Sequence, residues 1–181
     1  MEHEPTPVPG ETRDWTFVMR EGCPECGWRQ WPDVESLRAA WSAAAAAWPG
    51  IVTAPGAATR PKPTVWSPLE YGVHARDMIR LLGYRLEAMV SRHDPEFNNW
   101  DGDLANVVRR DWATDPRALA ADVELAARQT DSVLRSLVPE QLERRGHRTD
   151  GAPFSVLTLW QYMDHDIEHH VWDVTGARVQ P

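Results

Sequence analysis

Four stretches of the chain read as long helices, and none shows the sustained alternation of apolar and polar residues that marks a sheet strand. The second is the clearest. Ser67-Pro68-Leu69-Glu70 combines an N-cap serine, a proline at the first helical position and a glutamate at the capping-box position. Val73, Met78, Leu81, Leu82 and Leu86 then follow at helical spacing to about Ser91. A first helix is expected from about Asp33, its N-cap, through the alanine run to Trp48, with Pro49-Gly50 as its stop. Asp115-Pro116 opens a third, in which Leu119, Val123, Ala126, Ala127, Val133, Leu134 and Leu137 make one apolar face that ends at Pro139. Ser155 caps a fourth, which runs to about Val174 and meets Gly176. Residues 51–66 read as a connecting loop, and residues 93–114 as irregular apart from a short helical piece near Leu104 to Arg110. A helical turn from Pro139 to Arg145 leads into a glycine-containing loop, Gly146 to Pro153. Ahead of the first helix, residues 1–14 read as a flexible tail and Trp15 to Met19 as a short β-like segment. This pattern predicts an all-α four-helix bundle.

The fourth helix carries the chemistry. Its run Asp164-His165-Asp166-Ile167-Glu168-His169-His170-Val171-Trp172-Asp173 holds an H-x-x-x-H core. Positions four apart on a helix lie one turn apart and roughly 40° from alignment, so His165 and His169 can present both imidazoles to one ion. An i,i+4 histidine pair also occurs on solvated helix faces. Zinc-like ions take three or four protein ligands, so a third must come from elsewhere. Of the seven histidines, His74 in the second helix is the best third ligand, because His3, His93 and His147 fall in tail or loop sequence. His170 is rotated by about 100° from His169 and reads as a packing or hydrogen-bonding residue. Glu70, Asp77 and Asp173 lie about one turn from His74 or His169 and could orient their imidazoles or move protons, although solvated or structural roles suit any one of them. Tyr162 and Trp172 flank the same face.

Cys23-Pro24-Glu25-Cys26-Gly27 is a knuckle-like C-x-x-C turn with no other cysteine in the chain to complete a four-cysteine site. Three readings stand open for Cys23 and Cys26: added ligands to a metal held by bundle histidines, a redox dithiol, or a structural turn with two free thiols. A thioredoxin-like role would want a βαβ context, which is missing. If the thiols join the histidine metal, that site is closed.

Composition narrows the partners. With 181 residues, the chain suits one domain with a small extension. Its 27 acids against 19 Lys and Arg give a formal charge of −8 with no basic block, which argues against a nucleic-acid partner. Ten tryptophans can serve a core or an organic-ligand pocket. Met1 to Asp14 is acidic and proline-rich without the marks of a secretory signal, and the longest apolar stretch, Ala39 to Trp48, falls far short of the ~20 residues that span a bilayer. No membrane association and a cytoplasmic location are expected.

The helix-two context Ser-Pro-Leu-Glu-Tyr-x-x-His-x-x-Asp, followed by His-Asp-x-x-His-His-x-Trp-Asp-Val, resembles the DinB/YfiT-like superfamily over about residues 33–175. That group includes metal-dependent thiol transferases and the mycothiol-dependent maleylpyruvate isomerase type of domain. The resemblance implies a four-helix bundle over residues 33–181, preceded by a tail and knuckle over residues 1–32. It also implies a divalent-metal site on His74, His165 and His169. Zinc is the favoured ion, and nickel, iron and manganese also suit three histidines. The resemblance further implies an enzyme, a transferase, isomerase or hydrolase, acting on a small organic substrate with a low-molecular-weight thiol as partner. The competing expectation is a non-catalytic metal- or ligand-binding stress protein. Bundles of this kind often pair as homodimers, though no uninterrupted apolar stripe marks a dimer face.

Overall fold

Asp33, Ser67, Asp115 and Ser155 each accept a hydrogen bond from the backbone N–H three residues on, and a long helix starts directly after each of them. These bonds satisfy donors that the first turn leaves without partners. At Ser67 the bond is returned by Glu70, completing a capping box. In the computed structural model, which describes residues 5–179, the helices are α1 (Val18–Glu21), α2 (Val34–Val52), α3 (Pro68–Ser91), α4 (Gly102–Arg109), α5 (Pro116–Ser136) and α6 (Val156–Thr175). α5 and α6 each pack against both α2 and α3, which also touch one another, and the four long helices enclose one core. Trp41, Trp48, Ile79, Leu82, Leu86 and Trp160 are its buried centre. Each aliphatic side chain there contributes about 1.5–3 kcal/mol through removal from water. Among the described residues no helix is long and apolar enough to cross a membrane.

Three local expectations change. α2 does not stop at Pro49 but continues to Val52. Proline lacks an N–H and crowds the carbonyl four residues back, yet tertiary packing outweighs that cost. Val52 is fully buried, and its Cγ1 lies 2.1 Å from where a Cβ on Gly72 would stand, so the last turn of α2 fits against α3 only because residue 72 is glycine. Trp15 to Met19 is helical rather than β-like. The Asp14 carboxylate accepts from Thr16 N at 3.0 Å, a 3₁₀ turn over Trp15–Phe17 runs into α1, and Gly22 at φ +75° ends it. A lone strand there would have left its backbone groups without partners. The segments after α3 and after α5 join in a small sheet: β1 (Glu96–Phe97), between α3 and α4, pairs in parallel with β2 (Arg145–Arg148), which pairs antiparallel with β3 (Pro153–Ser155). Strands of two to four residues are too short to display a two-residue period.

The described part of the N-terminal tail, residues 5–14, has no regular secondary structure but lies on the bundle. Arg60 donates to the Thr6 carbonyl, and Glu11 N donates to Asp103 at 3.0 Å. His3 lies outside the described residues.

Candidate metal centres

α6 carries two ligand pairs rather than one. His165 and His169 form the first, Asp166 and His170 the second, and the two are offset by a single residue, about 100° around the helix. They face different neighbours.

The first pair meets the N-terminal knuckle. Donor atoms of Cys23, Cys26, His165 and His169 all lie within 4.8 Å of one another, and all four residues are buried. Cys23 Sγ stands 3.5 Å from His169 Nδ1. The knuckle is shaped by Gly27 N donating to the Cys23 carbonyl at 2.9 Å and Cys23 N donating to the Trp28 carbonyl at 2.8 Å. Gly27 sits at φ +74°, in the left-handed region that favours glycine. The segment is tied to α6 by further bonds. The indole N–H groups of Trp28 and Trp31 donate to Asp164 at 3.0 and 2.8 Å, and Trp31 exchanges two backbone bonds with the Gln161 amide. Arg178 joins Glu168 to the Gly27 carbonyl. Burial pushes the His165 pKa down to about 3 and lowers that of His169, which keeps both imidazoles in the neutral form that metals bind. Burial also pushes the Cys26 thiol up to about 12, so without a cation it stays protonated.

The second pair meets α3. His74, Asp166 and His170 bring donor atoms within 4.8 Å of one another and are half-buried. His74 Nε2 is 3.2 Å from Asp166 Oδ1, and the His74 and His170 rings meet edge-on with centroids 5.0 Å apart. His170 Nδ1 donates to Asp173 at 2.8 Å. That bond fixes the tautomer and turns Nε2 towards Asp166, 3.9 Å away. Burial works against ionisation of Asp166, but the His74 hydrogen bond and the surrounding imidazoles outweigh it and hold its pKa far below the usual carboxylate range. Burial likewise opposes charge on His170, and the Asp173 bond overcomes it to raise that pKa. His74 Nδ1 is buried with no hydrogen-bond partner among the described residues. It fits beside Gly102 at the start of α4, where a Cβ would stand 2.8 Å away. Two imidazoles and a carboxylate with Asp173 behind them form a donor set that suits a divalent first-row ion.

This second cluster opens on a cavity of about 950 Å³. Its walls include the N-terminal segment Val8 to Trp15, the aromatic rings of Trp66, Tyr71, Trp100 and Tyr162, and Arg148. His165 and His169 border the cavity and the two thiols do not, and Trp15 packs against those imidazoles with ring centroids 5.7 and 5.0 Å apart. Replacing Asp173 by Ala should weaken metal binding at the His74 cluster about 10–100-fold, measured by competition with a chromophoric chelator. Unchanged affinity would remove Asp173 from a supporting role at that cluster.

The expected triad of His74, His165 and His169 is therefore divided: His165 and His169 go with the cysteines, while His74 goes with Asp166 and His170. The reason is the side from which α3 meets α6. Asp173 sits where an orienting group should, also 3.6 Å from His169 Nε2. Glu70 and Asp77 have other partners. Glu70 is bonded to Arg60, Ser67 and Asn106, and Asp77 pairs with Arg76 and Arg109. Asp166 was not anticipated from the sequence, although the Asp166-x-x-x-His170 spacing was present to be read. Tyr162 lines the cavity, and Trp172 packs near His169.

Among solved structures, this chain superposes on YfiT from Bacillus subtilis with a TM-score of 0.67 and 19% sequence identity, covering 79% of this chain and 84% of that one. The chain has the YfiT fold. YfiT is described as a probable metal-dependent hydrolase with an unusual four-helix bundle topology. No family model matches the chain, and no curated protein does. Ahead of α2, the knuckle segment packs on α6 through Trp28 and Trp31.

Proposed function

We propose that the chain is a divalent-metal-dependent enzyme of hydrolytic type, acting on a small organic molecule at His74, Asp166 and His170. The observation that carries this reading is the convergence of three ligand-type side chains, from α3 and α6, on a cavity of about 950 Å³. Three protein donors leave coordination positions free, the mark of a catalytic rather than a structural site. The description of YfiT as a metal-dependent hydrolase supports the same direction. A divalent ion held there would supply a Lewis acid, able to polarise a substrate carbonyl and to acidify water or a thiol.

The chain's own residues would do the rest. Asp173 holds His170 in the tautomer that leaves Nε2 free, and the ionised Asp166 supplies the one anionic donor. Tyr71 packs against His170 with centroids 4.9 Å apart and rings tilted by 36°, and Trp66 packs against His74 at 5.7 Å, so each of the two imidazoles has an aromatic neighbour. Arg148, bonded to Asp150 and within 3.5 Å of the Tyr162 hydroxyl, sets a permanent cation in the cavity wall, where an anionic or carbonyl-bearing substrate would meet it. A low-molecular-weight thiol would enter by the same opening and turn hydrolysis into transfer or isomerisation. Zinc is the proposed ion.

The test is turnover of aryl esters and amides, with and without added thiol, by protein reconstituted with zinc, nickel, iron or manganese. Metal-dependent turnover lost in His170→Ala is expected. Full metal binding at this cluster without turnover would favour the non-catalytic alternative, and activity undiminished in His170→Ala would overturn the assignment.

A further inference from the structure

We propose that Cys23, Cys26, His165 and His169 hold a second metal, a zinc ion in a closed four-ligand site that fastens the N-terminal segment to α6. The site does not depend on the open cluster and would stand if the enzymatic reading failed.

The donor set comes first. Two sulfurs and two imidazole nitrogens in a tetrahedral arrangement mark zinc among the common ions. Bond lengths of about 2.0–2.3 Å in a tetrahedron require ligand atoms roughly 3.3–3.8 Å apart. Cys23 Sγ and His169 Nδ1 stand 3.5 Å apart, and all four donors fall within 4.8 Å of one another. His165 Nε2 is buried and has no hydrogen-bond partner among the described residues, which without an ion leaves an uncompensated polar atom in a small apolar core. His169 Nε2 faces the carboxylates of Asp173 and Glu25 at 3.6 and 3.7 Å, on the side away from the sulfur. This is the placement of the group that backs a ligating histidine.

The charge then balances. Zinc binding displaces the proton of each thiol, two protons leave to solvent, and two thiolates with two neutral imidazoles neutralise the dication. Four protein donors leave no room for substrate, so the role is structural. What the ion would hold is the segment whose preceding residues, Val8 to Trp15, form one wall of the cavity. A disulfide would be the competing use of the two thiols. Both cysteines are free in the structure.

Cobalt substitution of the untagged wild-type protein tests this without mutation. Cobalt bound by two thiolates in a tetrahedral field gives a sulfur-to-metal charge-transfer band and intense visible transitions. Both are expected in wild type and in His170→Ala, and both should vanish in Cys23→Ser/Cys26→Ser. Zinc content should fall from two equivalents to one in that double variant, and in His170→Ala as well, each from a different site. Absence of the charge-transfer band in reduced, cobalt-loaded wild type would overturn the proposal. So would a zinc content that the double variant leaves unchanged.

Discussion

Replacing Trp28 by Ala should lower stability by about 3–5 kcal/mol, the range for truncating a large buried aromatic side chain. Trp28 is 0% exposed and packs with Val18, Cys23 and Cys26 in a small core separate from that of the bundle. Its ring edge meets His165 with centroids 5.2 Å apart, and its indole N–H donates to Asp164. The carboxylate makes the loss worse. Burial pushes the Asp164 pKa up to about 8, with Glu168 adding to it, and the two indole bonds together with the Arg178 charge oppose that rise. Trp28→Phe keeps most of the packing and drops the bond, so it should cost less, about 1–3 kcal/mol. Urea unfolding followed by circular dichroism, with a chelator present, would measure both. A Trp28→Ala loss below about 1 kcal/mol would show that the knuckle segment is not held by this core.

Glu70→Ala should be comparably damaging, at about 3–5 kcal/mol, because it breaks an ion pair whose carboxylate is fully buried and leaves the half-buried Arg60 guanidinium without its counter-ion. Glu70 is 0% exposed, accepts from Ser67 N and Ser67 Oγ at 2.9 and 2.8 Å, and is bonded to Arg60 through both oxygens. Burial disfavours its charge, but the Arg60 and Ser67 bonds outweigh burial and hold its pKa below the ordinary value. A depressed carboxylate stabilises the fold above its unfolded pKa, and that contribution is lost as the pH falls through about 4 and below. The stability gap between wild type and Glu70→Gln should therefore be wide at pH 7 and narrow towards pH 3. A gap that stays constant across that range would mean the charge of Glu70 is not what Arg60 requires.

Much of the bundle could be read from local signals. Ser67-Pro68-x-Glu70, Asp115-Pro116 and Ser155 mark their helix starts because capping is chemistry within four residues, and Gly176 at φ +72° closes α6 as expected. Sequence and structure differ where distant contacts decide. Trp15, Thr16, Phe17 and Val18 favour strands by type, and a single Asp14 cap with packing on α6 made them helical. Pro49 signals a stop, and Val52 against Gly72 overrides it. The site was half legible for the same reason. That α6 presents metal ligands follows from spacing along one helix. Which pair His74 joins depends on the approach of α3, and where Cys23 and Cys26 go depends on the knuckle folding back across α6. Neither is a property of any short window of sequence.

The one-residue offset between the two pairs on α6 also determines which changes of length the chain can tolerate. Deleting or inserting a residue between Val156 and Asp164 would turn the ligand-bearing half of the helix by about 100° and shift it by about 1.5 Å. His165 and His169 would leave the cysteines in the same event that took Asp166 and His170 from His74. Point substitutions can alter the clusters separately, whereas a change of length in this helix removes both together. Related chains that keep either cluster should therefore place their insertions in the loop before Ser155 and keep the interval from that cap to the ligands constant.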